Sequence, residues 1–284
     1  LELGHEETER ATYSVSLLAP GDVAIPRGGC DIFGAGAASG YNCTDLFNPN
    51  PNDPWSGTIT LGAPTKTKVD TAGIYLFDSI TINDNFIVNL GVRGDDFSTK
   101  TSTDLSNHEF IFSYQAGLIY KPTYNTSLYV SYGTSASPSG VTAGDGSDNL
   151  SVAEEDLKPE KNRNMEVGVK WEPEGRNLAL NAAVFRNEIV DGHVAVEAGR
   201  GGAQQALGEQ RVQGVELSAT GAITSQWDVF AGYSYMDSEI IDAGPINTDQ
   251  VGNTLPNTPE HSVSLWTTYA IMPKLSVGGG ATYM

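Results

Sequence analysis

Long apolar runs are missing from this sequence, and none of its apolar stretches approaches the ~20 residues that a transmembrane helix requires. Basic residues are also scarce, with 16 Lys and Arg against 35 Asp and Glu and a formal net charge of -19 over 284 residues. The first absence excludes a helical membrane protein. The second argues against a nucleic-acid partner, because binding to the phosphate backbone needs clustered Lys and Arg.

Cysteine is equally rare. Cys30 and Cys43 both fall in a long, polar, glycine-rich segment, and we predict a disulfide that stabilises by about 3 kcal/mol of chain entropy in an oxidising compartment. A metal pair or a redox couple stays open as an alternative, although no His or third Cys lies close enough in sequence to complete a site. The histidines are far apart in the sequence: His5, His108, His193 and His261. We therefore expect no metal site and no resident cofactor.

Strict alternation of apolar and polar residues dominates the rest of the chain. Residues 165–171 place Met165, Val167, Val169 and Trp171 on one face of a strand and polar or small residues on the other. Lipid suits the first face and water the second. The same pattern recurs at residues 8–18, 69–82, 86–97, 110–120, 127–132, 178–184, 215–219, 227–235, 263–269 and 274–283.

These segments predict about eleven strands with ~9 to 11 membrane-embedded residues each. Short and long polar connections alternate strictly along the chain. The short ones are at 83–84, 121–124, 173–177, 224–225 and 272–273, and the long ones are at 19–68, 137–162, 191–210 and 239–260. That layout is typical of an all-β, antiparallel transmembrane β-barrel with short periplasmic turns and long outer loops. Aromatic residues near the short turns fit an interfacial girdle. A soluble β-sandwich is the rival, but compact domains seldom tolerate such long loops on one side.

Both ends of the sequence read as the middle of a strand. The first residues lack the basic start and apolar core of a signal peptide, and the last run alternates to the end. An odd number of strands would leave open edges in lipid. We therefore expect further strands beyond this sequence.

Four segments of the sequence match motifs of a known family. LKPEKNRNMEVGVK (157–170) resembles the LKPE…ENYEVGLK segment of TonB-dependent siderophore receptors, and RVQGVEL (211–217) resembles their RSRGVELE strand. AGYSYMD (231–237) is similar to GYTYLD, and LPNTPEHSVSLW (255–266) is similar to LPNTPKHSVSLW. The four motifs occur in the same order as in the family, and the likeness covers nearly the whole chain. Within the family, the sequence most resembles the ferric-catecholate branch.

The resemblance implies a barrel of ~22 strands around an N-terminal plug. Residues 1–284 would be part of the barrel domain, without the plug, the segment that engages a TonB-type energy-transducing partner, or the final strands. The implied function is TonB-dependent uptake of a ferric siderophore of the catecholate type across the outer membrane, with the ferric siderophore as cargo. Outer-membrane lipid and lipopolysaccharide would surround the barrel. A passive porin or channel, and an adhesin, are the alternatives.

Anionic, aromatic catecholate chelates call for Arg and aromatic side chains, through cation–π contacts and charge-assisted hydrogen bonds. The candidates in the loops are Arg27, Tyr41, Trp55, Arg200 and Arg211, with Lys158, Lys161 and Arg163 near a strand start. A solvated loop charge is the competing interpretation for each.

An acidic segment could hold a divalent cation, although a solvated loop, or one that shares bridging cations with lipopolysaccharide, is favoured by the charge run. Its members are Asp145, Asp148, Glu154, Glu155 and Asp156. The sequence contains no Gly-x-Ser-x-Gly motif. We therefore expect no enzymatic activity.

Overall fold

The computed structural model describes residues 1–16, 58–139, 150, 155, 157–175, 177–195 and 204–284. Two compact units contain them, one of Leu1–Glu7 with Thr67–Met284 and the other of Thr8–Lys66. In the second unit, residues 13–16 pair antiparallel with residues 58–61, and the Gly62 amide donates to the Thr12 carbonyl at 2.9 Å.

The described residues are almost entirely β-structure. The strands are β1 Glu2–Arg10, β2 Tyr13–Ser16, β3 Thr58–Leu61, β4 Thr65–Asn83, β5 Phe86–Thr101, β6 Ser106–Thr123, β7 Thr126–Ser137, β8 Glu160–Trp171, β9 Leu178–Ala195, β10 Gln204–Thr224, β11 Trp227–Asp242, β12 His261–Met272 and β13 Leu275–Tyr283. A short 3-10 helix spans Thr248–Gln250. Within the parts of the chain listed above, no helix is both long enough and apolar enough to cross a membrane.

One large sheet holds eleven strands in the order β1, then β4 to β13 in sequence. Every ladder from β4 to β13 is antiparallel between chain neighbours. The predicted all-β antiparallel class is therefore confirmed, and so is the predicted number of strands in the main sheet. The first strand begins at Glu2 and not at residue 8.

Tight turns close one end of the sheet, as predicted. In the turn between β4 and β5, the Asn83 side-chain oxygen accepts from the amides of Asn85 at 2.9 Å and Phe86 at 3.0 Å, an Asx turn that needs no long loop. Trp171 ends β8 and Trp227 begins β11 beside two other tight turns. These aromatic side chains lie where an interfacial girdle is expected.

The predicted strict alternation of short and long connections fails at one place. β5 and β6 are joined at the opposite end by only residues 102–105, where the Thr101 amide donates to the Leu105 carbonyl at 2.9 Å and Asp104 has a φ of 64°. Polar residues fill both faces of the strands there, because the strands continue beyond the apolar part of the sheet. The alternating pattern is lost at that point although the strands are not.

The main sheet has one apolar and one polar face. Val130, Val167 and Val184 lie directly opposite one another on β7, β8 and β9, and 46%, 58% and 60% of their surfaces are exposed. Large apolar side chains exposed side by side are unfavourable in water, whereas lipid is a suitable environment for them. We call this side the apolar face, and the side that carries Ser131 and Glu166 the polar face.

Candidate ligand-binding site

A row of directly opposed residues crosses the polar face, and three of its five members carry amide side chains. We call it the amide row. Strand register places Gly91, Gln115, Gly133, Asn164 and Asn187 opposite one another on five successive strands. A Cβ at Gly91 would lie 2.9 Å from Cγ of Gln115, so the glycine makes room for the glutamine. The Asn164 amide donates to the Asn187 side-chain oxygen. The row therefore presents neutral hydrogen-bonding groups on a rigid sheet.

Arg93 lies on the same face, on β5, and carboxylates hold it in place. Its Nε donates to Asp95 Oδ2 at 2.7 Å, and its Nη2 donates to Glu2 Oε2 at 3.0 Å. The guanidinium carbon lies 5.6 Å from the centroid of the Tyr75 ring, within the range of a cation–π contact. Arg93 and Tyr75 thus form a fixed cationic and aromatic pair.

A cavity of about 1010 Å³ opens over this part of the sheet and is lined by, among others, Tyr75, Arg93, Gln115, Asn162, Asn164 and Asn187. Small-molecule sites usually measure ~300 to 1,000 Å³ and combine apolar surface with a few fixed polar groups. The cavity is therefore of a size to take a bulky chelate. It is the candidate binding site.

A buried polar cluster lies on the polar face beyond the apolar part of β6, at the end with the longer connections. Glu109 Oε2 accepts from the Ser139 amide at 3.2 Å, and Ser139 Oγ donates to the Leu157 carbonyl at 3.2 Å. Burial raises the pKa of Glu109, and the hydrogen bond from the Ser139 backbone opposes that rise. The Lys158 carbonyl accepts from His193 Nε2 at 2.7 Å in the tautomer that protonates this atom. The cluster ties both ends of the β7–β8 connection to β6 and β9.

A second polar cluster lies nearer the tight turns. The Tyr129 hydroxyl donates to Glu166 Oε1 at 2.5 Å, and Lys170 Nζ lies 5.4 Å from the centroid of the Tyr129 ring. Glu166 and Glu216 line a cavity of about 310 Å³. Two carboxylates therefore share one small region of the polar face, without a basic ion-pair partner among the described residues.

Most of the ligand-contacting residues predicted from sequence lie outside the described residues: Arg27, Tyr41, Trp55 and Arg200. The two cysteines, Cys30 and Cys43, also lie outside them. So do four members of the acidic segment: Asp145, Asp148, Glu154 and Asp156. Their roles, and the disulfide, stay predictions. Glu155 is described, and its Oε1 accepts from the Ser106 amide at 3.1 Å. Across the parts of the chain that the structure covers, no group of three or more His, Cys, Asp or Glu is arranged to hold a metal ion.

Arg211 is described, and it lies on the apolar face, away from the cavity. It belongs to a set of four directly opposed residues on β8 to β11: Arg163, Glu188, Arg211 and Glu239. We call this set the charge row. Arg211 Nη2 donates to Glu239 Oε2, while its buried Nε has no hydrogen-bond partner. The structure therefore does not bring Arg211 to the amide row.

The ion pair between Arg211 and Glu239 can be measured by a double-mutant cycle. We expect Arg211→Ala and Glu239→Ala to be coupled by about 0.5 to 1 kcal/mol, since the pair is partly exposed and screened by solvent. The free energy of unfolding in urea, measured in lipid vesicles, gives the coupling. As a control, Arg163 and Glu188 face each other without an ion pair between them, so their cycle should give a value near zero. Equal coupling in both cycles would contradict the assigned pairing.

Sequence reasoning missed Tyr75, Arg93, Gln115 and the asparagines of the amide row, because it searched the loops for ligand contacts. A usable signal exists: each of these residues occupies a polar position of an alternating strand. Their convergence depends on register between strands, which no single segment reveals.

An antiparallel sheet with one lipid-compatible face and one polar face defines a β-sheet wall that spans a membrane. Residues 8–284 match a family model described as TonB dependent receptor-like, beta-barrel. The chain belongs to this family, whose members are outer-membrane β-barrel proteins, so the resemblance and the outer-membrane location are confirmed.

Similar proteins agree with this assignment. The chain is 36% identical over 261 residues to the probable TonB-dependent siderophore receptor PiuA of Acinetobacter baumannii, covering 85% of this chain and 34% of that protein. It is 30% identical over 271 residues to the catecholate siderophore receptor Fiu of Escherichia coli K12, covering 84% and 35%. The chain thus spans about a third of the length of these relatives.

Solved structures give the same picture. The crystal structure of the siderophore receptor PiuA from Acinetobacter baumannii superposes with a TM-score of 0.78 at 30% identity, covering 99% of this chain and 43% of that one. The closed form of the ferric-catecholate import receptor Fiu from E. coli K12 gives a TM-score of 0.72 at 26% identity, covering 99% and 41%. These relatives are named as receptors, which is consistent with the expected lack of catalysis.

Proposed function

We propose that the protein takes up a ferric siderophore of the catecholate type across the outer membrane, driven by a TonB-type partner. The family match over residues 8–284 is the observation that carries this proposal, and the likeness to a catecholate siderophore receptor supports the chelate class. Residues 1–284 would form part of the barrel domain, with the plug and the final strands outside this sequence. Arg27, Tyr41, Trp55 and Arg200 would contact the chelate from the loops.

The chemistry of the cavity supports a catecholate ligand. Catechol rings can stack on an aromatic side chain such as Tyr75, and catecholate oxygens accept hydrogen bonds from the amides of Asn164 and Asn187 and from a guanidinium such as that of Arg93. All four side chains line the same cavity. The carboxylates of Asp95 and Glu2 already bond to Arg93, so this residue would act as an oriented donor and add little net positive charge.

The second polar cluster supports a domain packed against the polar face. Two carboxylates on one small area, Glu166 and Glu216, would be stabilised by basic residues of an interior domain, since opposite charges at close range favour ionised pairs. Lipid on the other face cannot supply such partners. We propose that the plug provides them.

The test uses the open reading frame that encodes this chain, expressed in a strain without other siderophore receptors. We expect growth on a ferric catecholate as sole iron source, and we expect Trp fluorescence quenching when the purified protein binds that complex. Tyr75→Ala should weaken binding about threefold to tenfold through loss of ring stacking. Tyr124→Ala, at a tight turn, is the matched control and should bind like the wild type.

Two outcomes would contradict the proposal. Absence of quenching by catecholate, hydroxamate and citrate complexes of iron would remove the siderophore function. Growth that persists after deletion of the TonB-type partner would favour the porin alternative, because passive diffusion needs no energy transduction.

A further inference from the structure

The connection between β11 and β12 forms one side of the cavity. Leu255, Asn257 and Thr258 line the cavity together with the amide row. The Leu255 amide donates to Oγ of the buried Ser238 on β11 at 3.2 Å. Two backbone hydrogen bonds fasten residues 253–260 to β11 at either end: Ile240 amide to Asn253 carbonyl at 3.0 Å, and Met236 amide to Glu260 carbonyl at 2.9 Å. This side of the cavity is therefore held by the sheet itself.

A turn within residues 253–260 has a left-handed residue next to the cavity. Asn257 follows Pro256 and has a φ of 58°. Proline followed by asparagine with positive φ is typical of the two central positions of a type II turn. Among the described residues, three that are not glycine have positive φ, namely Asp104, Asp191 and Asn257, and of these Asn257 lines the cavity. An unusual backbone conformation at a ligand cavity is a reason to look for a function of that residue.

The side chain of Asn257 has no partner in the described part of the chain. Asparagine at a turn commonly hydrogen-bonds to its own backbone, as Asn83 does between β4 and β5. Asn257 is exposed and forms no such bond, whereas the neighbouring Thr258 hydroxyl donates to the Pro256 carbonyl at 3.4 Å. An amide offers two N–H donors and one acceptor. A fixed turn thus presents these groups at the cavity.

The backbone at Asn257 also limits which side chains can be placed there. Positive φ is tolerated best by glycine, asparagine and aspartate. Glycine would offer no hydrogen bond, and aspartate would put a negative charge beside an anionic chelate. Arg93 is already bonded to Asp95 and Glu2, so the cavity has little net positive charge with which to offset such repulsion. Asparagine is the one of the three that supplies donors without charge.

We infer that Asn257 is a specificity-determining residue that contacts the chelate. Its amide donates to a catecholate oxygen from the β11 and β12 side of the cavity, and its lack of charge admits an anionic complex. The inference rests on the proposed siderophore function. It adds to that site a contact on the side away from Tyr75 and Arg93 in the order of the strands.

The test measures Trp fluorescence quenching by a ferric tris-catecholate in the purified product of the open reading frame that encodes this chain. Asn257→Gly keeps a residue that suits the turn and removes the amide, so we expect the Kd to rise about threefold to tenfold. Asn257→Asp also suits the turn and should raise the Kd by about threefold more, because the carboxylate repels the chelate.

Asn247→Asp is the matched control. It makes the same change in the same connection, at a residue that does not line the cavity and has no side-chain capping bond. We expect it to bind like the wild type. Heat-modifiable gel mobility of each variant checks that the barrel is folded, and Asn257→Gly should match the wild type in that assay.

Wild-type affinity in Asn257→Gly would overturn the inference, because the residue would then serve the turn alone. Equal weakening by Asn257→Asp and Asn247→Asp would also overturn it, since any added negative charge on the connection would have the same effect. If ferric catecholates fail to quench even the wild type, the siderophore proposal falls together with this inference. Wild-type quenching that Asn257→Gly leaves intact removes the inference alone.

Discussion

Val130→Arg is expected to destabilise the protein by about 2 to 4 kcal/mol, whereas Ser131→Arg should change its stability little. Arginine on the lipid side of a transmembrane barrel costs this amount near the midplane, while substitutions on the water side are tolerated. Val130 lies opposite Val167, halfway between Trp171 and Arg163 along β8. Urea unfolding in lipid vesicles measures both variants.

The two substitutions differ by one residue and add the same side chain, so each is the control for the other. If Ser131→Arg were the more damaging, the faces would be reversed and the sheet would enclose a dry core. If both were harmless, the sheet would not be embedded in lipid. Either result would contradict the membrane-spanning wall.

Gly214→Ala is expected to destabilise the sheet by about 3 kcal/mol or more, an overpacking cost at the upper end of the usual range. A Cβ at this position would collide with the Tyr235 carbonyl oxygen and would lie 3.2 Å from Cε1 of Phe185. The first of these atoms is backbone in a hydrogen-bonded strand and cannot move aside cheaply. The folded fraction recovered in outer membranes, read from heat-modifiable gel mobility, should fall.

Gly133→Ala is the matched control for this substitution. It also lies inside a strand of the sheet, but the nearest atom to its Cβ would be Gln115 Cβ at 3.8 Å, an ordinary contact. We expect wild-type assembly for this variant. Equal assembly of the two variants would show that β10 and β11 are less closely packed at Gly214 than the structure indicates.

The alternating pattern was sufficient to predict the main sheet. Each embedded strand separates lipid from water, so its apolar and polar side chains must alternate with a period of two residues. It failed where that constraint ends. Residues 98–101, 106–109 and 204–210 are mostly polar and fall outside the predicted strands, yet they continue β5, β6 and β10 beyond the apolar band. Hydrogen bonding between strands maintains these extensions, and the side chains reveal nothing of it.

The lack of a sequence signal for strand extensions and register also explains why the candidate site was not predicted. Arg211 was treated as a loop residue, but it is four residues before Val215 and so shares its face once β10 is known to extend that far. The amide row could not be predicted, since its members come from five segments and meet only when the register is fixed. Local chemistry predicts which way a side chain points, and register decides what it meets.

The charge row supplies information that the two-residue repeat cannot. A strand that slips by two residues keeps every side chain on its proper face, so hydrophobicity alone would not reject the error. Such a slip of β10 against β9 would move Arg211 from opposite Glu188 to opposite Arg186 or Val190, so that the facing residue would carry a like charge or no charge. The alternating charges therefore favour the observed register over a two-residue slip when neighbouring strands pair.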